Sequence, residues 1–267
     1  MTQTLTLSDG GIAQKLTLVQ ERIRAQPADA DLRAQLFQLA AVQGDWKRAA
    51  DQLRISAELN RQAQPVAALY QGALAAEAQR EAVFAGRAEP ALLGPAEPWV
   101  ETLAQALRAP AQAAADMRLQ AAEAAQARAG SLACAPADAR APFAWLCDGD
   151  SRLGPVCELI AGGRYCWTPF AALRSLRILP PEGLADLIWA QAEAVFEDGR
   201  QLACLIPARY PAPDGAAQSE LDEALRLGRR TEWLPLGGET YRGAGQKMWL
   251  TDAGEYALLD VRALELD

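Results

Sequence analysis

Residues 143–170 read FAWLCDGDSRLGPVCELIAGGRYCWTPF, and in this stretch the chain turns from helical to extended periodicity. Short apolar runs over 143–147, 156–161 and 165–170 are separated by the turn-forming pairs Asp148-Gly149 and Gly162-Gly163, a pattern of strands joined by tight turns. Further runs over 187–196, 202–206 and 255–262 continue it. Asp198-Gly199 is a hairpin signal and 252–254 a second turn. Five of the seven tryptophans (Trp145, Trp167, Trp189, Trp233 and Trp249) fall in this half, and such bulky aromatics suit a curved antiparallel sheet. One short helix is expected near 220–228.

Working back from this stretch, the pattern is helical. Ile12, Leu16, Val19 and Ile23 share one face of a helix over 12–25, with Pro27 beyond its end. A second helix covers 30–42 and stops near Gly44. A third follows Asp45, a side chain suited to capping a helix start. Residues 29–62 have the layout of one tetratricopeptide repeat, with Leu36, Phe37 and Ala40 before the Gly44-Asp45-Trp46 turn and Ala49, Leu53 and Leu59 after it. Pro65 opens a longer helix that Gly86 ends, and two more are expected over 99–107 and 112–129, the last closed by Gly130. The fold class is therefore α+β: a tetratricopeptide-like helical domain over 1–130, a linker over 131–142 (SLACAPADARAP), and a mostly antiparallel β domain over 143–267.

Composition removes several functions. The 267 residues contain no histidine, which excludes serine-histidine and cysteine-histidine catalysis and the commonest metal ligand. Five cysteines (Cys134, Cys147, Cys157, Cys166 and Cys204) form no CxxC pair, so no zinc site is expected, and their odd number inside apolar runs fits reduced, buried thiols. Residues 1–130 carry 13 basic and 14 acidic side chains and residues 131–267 carry 13 and 20. An acidic second half with no basic stripe elsewhere argues against nucleic acid as a partner. The start, MTQTLTLSDGG, lacks the basic and apolar regions of a signal peptide, and no apolar run reaches the roughly 20 residues of a membrane span. A cytoplasmic protein is expected.

Two constellations carry possible chemistry. Asp148, Asp150 and Glu158 could form a carboxylate cluster for hydrolysis, which requires them to converge in a cleft with at least one raised pKa. DGDSRLGP is also a good turn, with Arg152 placed to pair with a carboxylate, and this structural reading is preferred. The glycine pairs at 162–163 and 237–238 neither follow a strand into a helix nor carry the P-loop lysine, so they read as hairpin turns. In a helical repeat the first helix of each pair lines the concave face. Asp31, Ala34, Gln38, Ala41 and Val42 then either face a ligand or pack against the neighbouring helix. That face lacks the lysine and asparagine that clamp a peptide carboxylate, so an amphipathic helix suits it better.

The run DGDSRLGPVCELIAGGRYCWTPF, with LNRQAQPVAALYQGALAAEAQREAVFAG before it and IPARYP and TDAGEYALLDVR after it, resembles the ImpE/TagJ (SciE-type) accessory proteins of bacterial type VI secretion. Asp148, Asp150, Arg152, Gly154, Gly163, Arg164, Tyr165 and Trp167 carry the signature, and Gly149 departs from it, because the family usually shows an acidic residue or alanine there. The resemblance implies a non-enzymatic cytoplasmic adaptor without cofactor, metal or catalytic residues. Its implied partner is an amphipathic helix of the contractile-sheath small subunit, with an indirect link to the sheath-disassembly ATPase.

Overall fold

The computed structural model describes residues 11–136, 139–213 and 216–267. The amino-terminal segment read for targeting, and residues 137 and 138 of the expected linker, lie outside these.

Helices dominate the first half: α1 (Ile12–Ala25), α2 (Ala30–Val42), α3 (Trp46–Leu59), α4 (Gln64–Phe84), α5 (Pro98–Ala106) and α6 (Ala111–Ala124). Their starts follow from local chemistry. Asp29 accepts hydrogen bonds from the Asp31 and Leu32 amides, and Asp45 accepts one from Arg48, so both satisfy otherwise orphaned helix N–H groups. Between α2 and α3 the chain turns at Gly44, whose φ of 74° is a conformation glycine adopts without strain.

The strands are β1 (Ala91–Leu92), β2 (Gly130–Cys134), β3 (Arg140–Phe143), β4 (Leu146–Asp148), β5 (Val156–Ala161), β6 (Arg164–Pro169), β7 (Leu173–Ile178), β8 (Trp189–Phe196), β9 (Gln201–Pro207), β10 (Thr231–Gly237), β11 (Thr240–Gly245), β12 (Met248–Thr251), β13 (Gly254–Ala257) and β14 (Val261–Leu266), with a short helix α7 (Glu223–Arg226) between β9 and β10. Nine strands form one sheet in the order β1-β6-β5-β9-β8-β7-β14-β2-β3. Only the β1–β6 pairing in it is parallel. β10 and β11 make a separate hairpin, and β13, β12 and β4 a three-stranded sheet. The chain is thus α+β, a helical part followed by an antiparallel-rich sheet.

Around β5 and β6 both faces of the large sheet are buried, whereas β7, β8 and β14 turn Arg177, Glu193 and Glu265 to solvent. On one face Val156, Ile160, Tyr165, Trp167, Trp189 and Leu205 join a core with Leu36, Phe37, Tyr70 and Ala73 of the helices. On the other face Cys157, Leu159, Ala190, Ala192 and Phe196 pack with Phe143, Trp249 and Leu264. This explains why β5, interrupted only by Glu158, is apolar on both faces, which alternation alone does not predict. α4 crosses the sheet at the β5–β6 turn. A Cβ on Gly72 would lie 3.0 Å from the Cα of Gly163, so two facing glycines permit the close approach.

Three sequence expectations need correction. The helix expected over 112–129 ends at Ala124, and Gly130 begins β2 rather than closing a helix. Residues 131–142, read as a linker, hold β2 and β3 instead. β2 pairs with β14, the last strand, so its partner is remote in sequence, and Pro142 sits harmlessly in β3 at the sheet edge. The face of α2 expected to line an open groove is covered. Ala41 and Val42 are fully buried, Asp31, Ala34 and Gln38 are half-buried, and Gln38 accepts a hydrogen bond from the Leu184 amide at 3.2 Å. The second half of the chain fills the concavity that an isolated repeat leaves free.

Candidate functional site

Glu77 and Arg80 lie one turn apart on the face of α4 that meets the sheet, and both are buried. Arg80 reaches Glu158 of β5 with two hydrogen bonds, Nε to Oε1 at 2.7 Å and a terminal nitrogen to Oε2 at 3.1 Å. Glu158 also accepts from the Tyr165 hydroxyl and from Lys247, at 2.7 and 2.6 Å. Lys247 in turn donates to Asp148 of β4 at 2.7 Å. Asp148 receives the Tyr210 hydroxyl and the Asp150 amide as well. The chain of groups continues outward through Trp167, which donates to the Tyr165 hydroxyl, and Trp189, which donates to Glu77.

This assembly links the helical part to β5 and, through Lys247 just before β12, to β4 with buried charge. An isolated charge in such a place is strongly unfavourable, and pairing with full hydrogen bonding is what makes it tolerable. Burial alone would raise the Glu158 carboxyl, but Arg80 and Lys247 outweigh it and hold the group at about 2. Asp148 differs: burial exceeds the pull of Lys247, and its carboxyl is raised to about 6. Lys247 sits between two carboxylates that together raise it, although burial opposes them.

Asp150 belongs to a second pair. Its carboxylate grips Arg152 through three hydrogen bonds of 2.7 to 3.2 Å and accepts the Gly243 amide at 3.1 Å. The Arg152 guanidinium lies 4.6 Å from the centre of the Phe84 ring, another α4 contact. Gly243 has no room for a side chain, since a Cβ there would meet the Tyr210 ring at 2.1 Å. The turn at 148–154 therefore positions acidic groups inward and fixes the hydroxyl of Tyr210.

Beside this network a cleft of about 660 Å³ opens between the α2–α3 turn, the end of α4 and residues 210–213 and 216–219. Trp46, Phe84, Arg87, Arg152 and Arg209 contribute to its wall. Arg209 is buried and has no carboxylate partner among the described residues. Its terminal nitrogens donate to the Ala41 and Val42 carbonyls at the end of α2 and to the Arg226 carbonyl at the end of α7. Two helix C-termini thus supply its counter-charge. Burial lowers its pKa to about 10 despite Glu77, so it remains charged at neutral pH.

Of the residues singled out from sequence, Asp148 and Glu158 converge on Lys247, whereas Asp150 is turned to Arg152. The convergence and the raised Asp148 are what a carboxylate hydrolase needs. Its other requirement, an open approach, is unmet: Asp148, Asp150 and Glu158 are between 0% and 2% exposed, and their oxygens already accept protein donors. Tyr165 and Trp167 join the same network, Gly154 closes the turn by accepting the Asp148 amide, Gly163 faces α4, and Arg164 is exposed. Glu77, Arg80, Arg209, Tyr210 and Lys247 were not singled out. Two signals pointed to some of them: a charged pair on the alanine-rich face of α4, and one of only three lysines preceding an apolar strand. Among the described residues no group of three or more acidic or cysteine side chains could hold a metal ion, and no helix is long and apolar enough to cross a membrane.

The sequence profile described as ImpE protein matches residues 140–265. Across 265 residues the chain is 43% identical to the type VI secretion system accessory component TagJ of Pseudomonas aeruginosa, an alignment that covers 98% of this chain and 89% of that one. The X-ray structure of protein VPA1032 from Vibrio parahaemolyticus is similar with a TM-score of 0.81 at 27% identity, over 96% of this chain and 94% of that chain. Five of the signature residues, Asp148, Asp150, Arg152, Tyr165 and Trp167, lie in the buried centre of the fold. This chain belongs to the ImpE/TagJ family of type VI secretion accessory proteins.

Proposed function

We propose that the protein is a non-enzymatic cytoplasmic adaptor of the type VI secretion system, holding an amphipathic helix of the contractile-sheath small subunit against its helical part. Through that contact it influences how the disassembly ATPase handles the sheath. The observation that carries this reading is the 43% identity to a secretion accessory component over nearly both full chains. The buried network agrees with it, because the conspicuous polar residues hold the two halves together.

A surface for the partner helix is available away from the filled face of α2. Leu59, Val66 and Leu69 are 44%, 55% and 44% exposed at the end of α3 and the start of α4. Val66 and Leu69, three positions apart, share a face of α4. Asp31 and Ala34 begin α2 at the same end, since the Ser56 hydroxyl of α3 donates to the Ala30 carbonyl at 2.9 Å. A single tetratricopeptide-like pair, α2 and α3, with α4 stacked on it, presents this end as an apolar strip with a polar margin, the form that helix-in-groove recognition uses.

Co-expression of the tagged protein with the sheath small subunit from the same genome tests the reading. The subunit is expected to co-purify with the wild type and to be lost with the double variant Val66→Asp, Leu69→Asp. Failure of the wild type to retain the subunit, with both proteins soluble, would overturn the proposal.

A further inference from the structure

The nine-stranded sheet ends at β1, which holds only Ala91 and Leu92 before the chain turns away at Gly94, where φ is 111°. The Leu93 amide donates to the Trp167 carbonyl of β6 at 2.9 Å. Successive residues of a strand direct their amides and carbonyls to opposite edges, so those of Leu92 point away from β6, to the open end of the sheet. Side chains alternate across the sheet in the same way. Ala91 belongs to a hollow of about 530 Å³ against α4, lined by Ala78, Ala82 and Val83. Leu92, 43% exposed, belongs to one of about 410 Å³ against α5, floored by Val100 and Ala104.

The two rims differ in charge. On the α5 side stand Glu89, Glu97, Glu101 and Arg108, and Arg108 is taken by Glu89. Glu97 and Glu101, one helical turn apart and both exposed, pair with no cation among the described residues. The α4 side offers small apolar side chains, and Arg164 at its rim leaves no place for a cation there. A strand added at this edge would meet an acidic hollow on one face and an apolar one on the other.

We infer that β1 takes up an extended segment of a partner protein in which lysine or arginine alternates with a small apolar residue. The basic side chains lie along Leu92 with their charged ends at Glu97 and Glu101, and the apolar ones enter the α4 hollow. The Leu92 amide and carbonyl supply main-chain bonds. With so short a strand the side chains decide which segment binds. The inference rests on the adaptor reading only for the partner's being a protein, and it concerns a different surface from the apolar strip of Leu59, Val66 and Leu69.

The test is a fluorescence-anisotropy titration of labelled Lys-Val and Glu-Val repeat peptides with the full chain. Salt of about 0.15 M screens the general pull of its net charge of −8 on a cation. The Lys-Val peptide is expected to saturate below about 200 μM protein, and the Glu-Val peptide not to bind. Glu97→Lys with Glu101→Lys should weaken the Lys-Val peptide by about fivefold or more, the loss of two exposed ion pairs. Glu21→Lys with Glu58→Lys alters the net charge equally from exposed positions on α1 and α3, and should change binding by less than about twofold. Leu92→Pro removes the outward amide, leaves the Leu93 bond in place and should abolish binding. No saturation by the wild type, equal loss in the two double variants, or undiminished binding by Leu92→Pro overturns the inference. The Val66→Asp, Leu69→Asp variant should bind the Lys-Val peptide as the wild type does. Failure of the sheath subunit to bind therefore leaves this inference standing, and failure of the Lys-Val peptide leaves the adaptor reading standing.

Discussion

Arg80 of α4 and Glu158 of β5 meet in a two-point ion pair, 2.7 and 3.1 Å, with both side chains no more than 4% exposed. The helical part is therefore joined to the sheet by charge at its centre as well as by apolar packing. A pair of this kind adds less net stability than its geometry suggests, because both ions have left water, yet removing one partner strands the other. Arg80→Met should lower the unfolding free energy by about 3–5 kcal/mol, measured as a reduced urea midpoint.

The same pair sets an acid limit. Glu158 is held at about 2, below an ordinary glutamate, so its contribution is complete above the unfolded-state value of about 4.3 and is lost as pH falls towards 2. Wild-type stability is expected to fall steeply below about pH 4.5. Glu158→Gln should be less stable at pH 7 and flatter across that acid window, in urea melts at a series of pH values.

Asp148 has the opposite sign. Its carboxyl is raised to about 6, so the folded state holds that proton more tightly than the unfolded chain and gains stability as pH falls from 6 towards 4. Asp148→Asn should cost much less than Glu158→Gln at pH 7, and it should remove the part of the wild-type profile that declines between pH 4 and 6. Equal losses in the two variants would contradict the difference in environment described for the two carboxylates.

Two alanines of α2 separate its buried side from its reachable one. Ala41 is fully buried and its carbonyl accepts from Arg209, whereas Ala34 is half-buried. Ala41→Arg should abolish the cooperative thermal transition, since a cation would enter a packed interior. Ala34→Arg should fold and melt within a few degrees of the wild type, as followed by circular dichroism.

Much of the fold was legible. The helices over 12–25 and 30–42 and the Asp45 cap of α3 could be read from periodicity and capping residues, because both signals are local. β2 could not, because Ser131 to Cys134 become a strand only against β14, more than a hundred residues later. The candidate site was half legible. Asp148, Asp150 and Glu158 were found by residue type, but their partners Lys247, Arg80 and Tyr210 come from distant segments, and nothing local marks them as a set. The α2 groove was misplaced for a related reason. A helix apolar on most sides does not say which neighbour covers it, and the covering residues, Leu184 and Arg209, lie in the other half of the chain.

The adaptor account is tested most directly by titrating a fluorescein-labelled peptide of the amino-terminal helix of the sheath small subunit with the purified protein, read by anisotropy. Saturable binding with a Kd of about 50 μM or tighter, corresponding to roughly −6 kcal/mol, and its loss in the Val66→Asp, Leu69→Asp variant, is the predicted result. A flat titration with folded wild-type protein, or undiminished binding by that variant, would contradict the account.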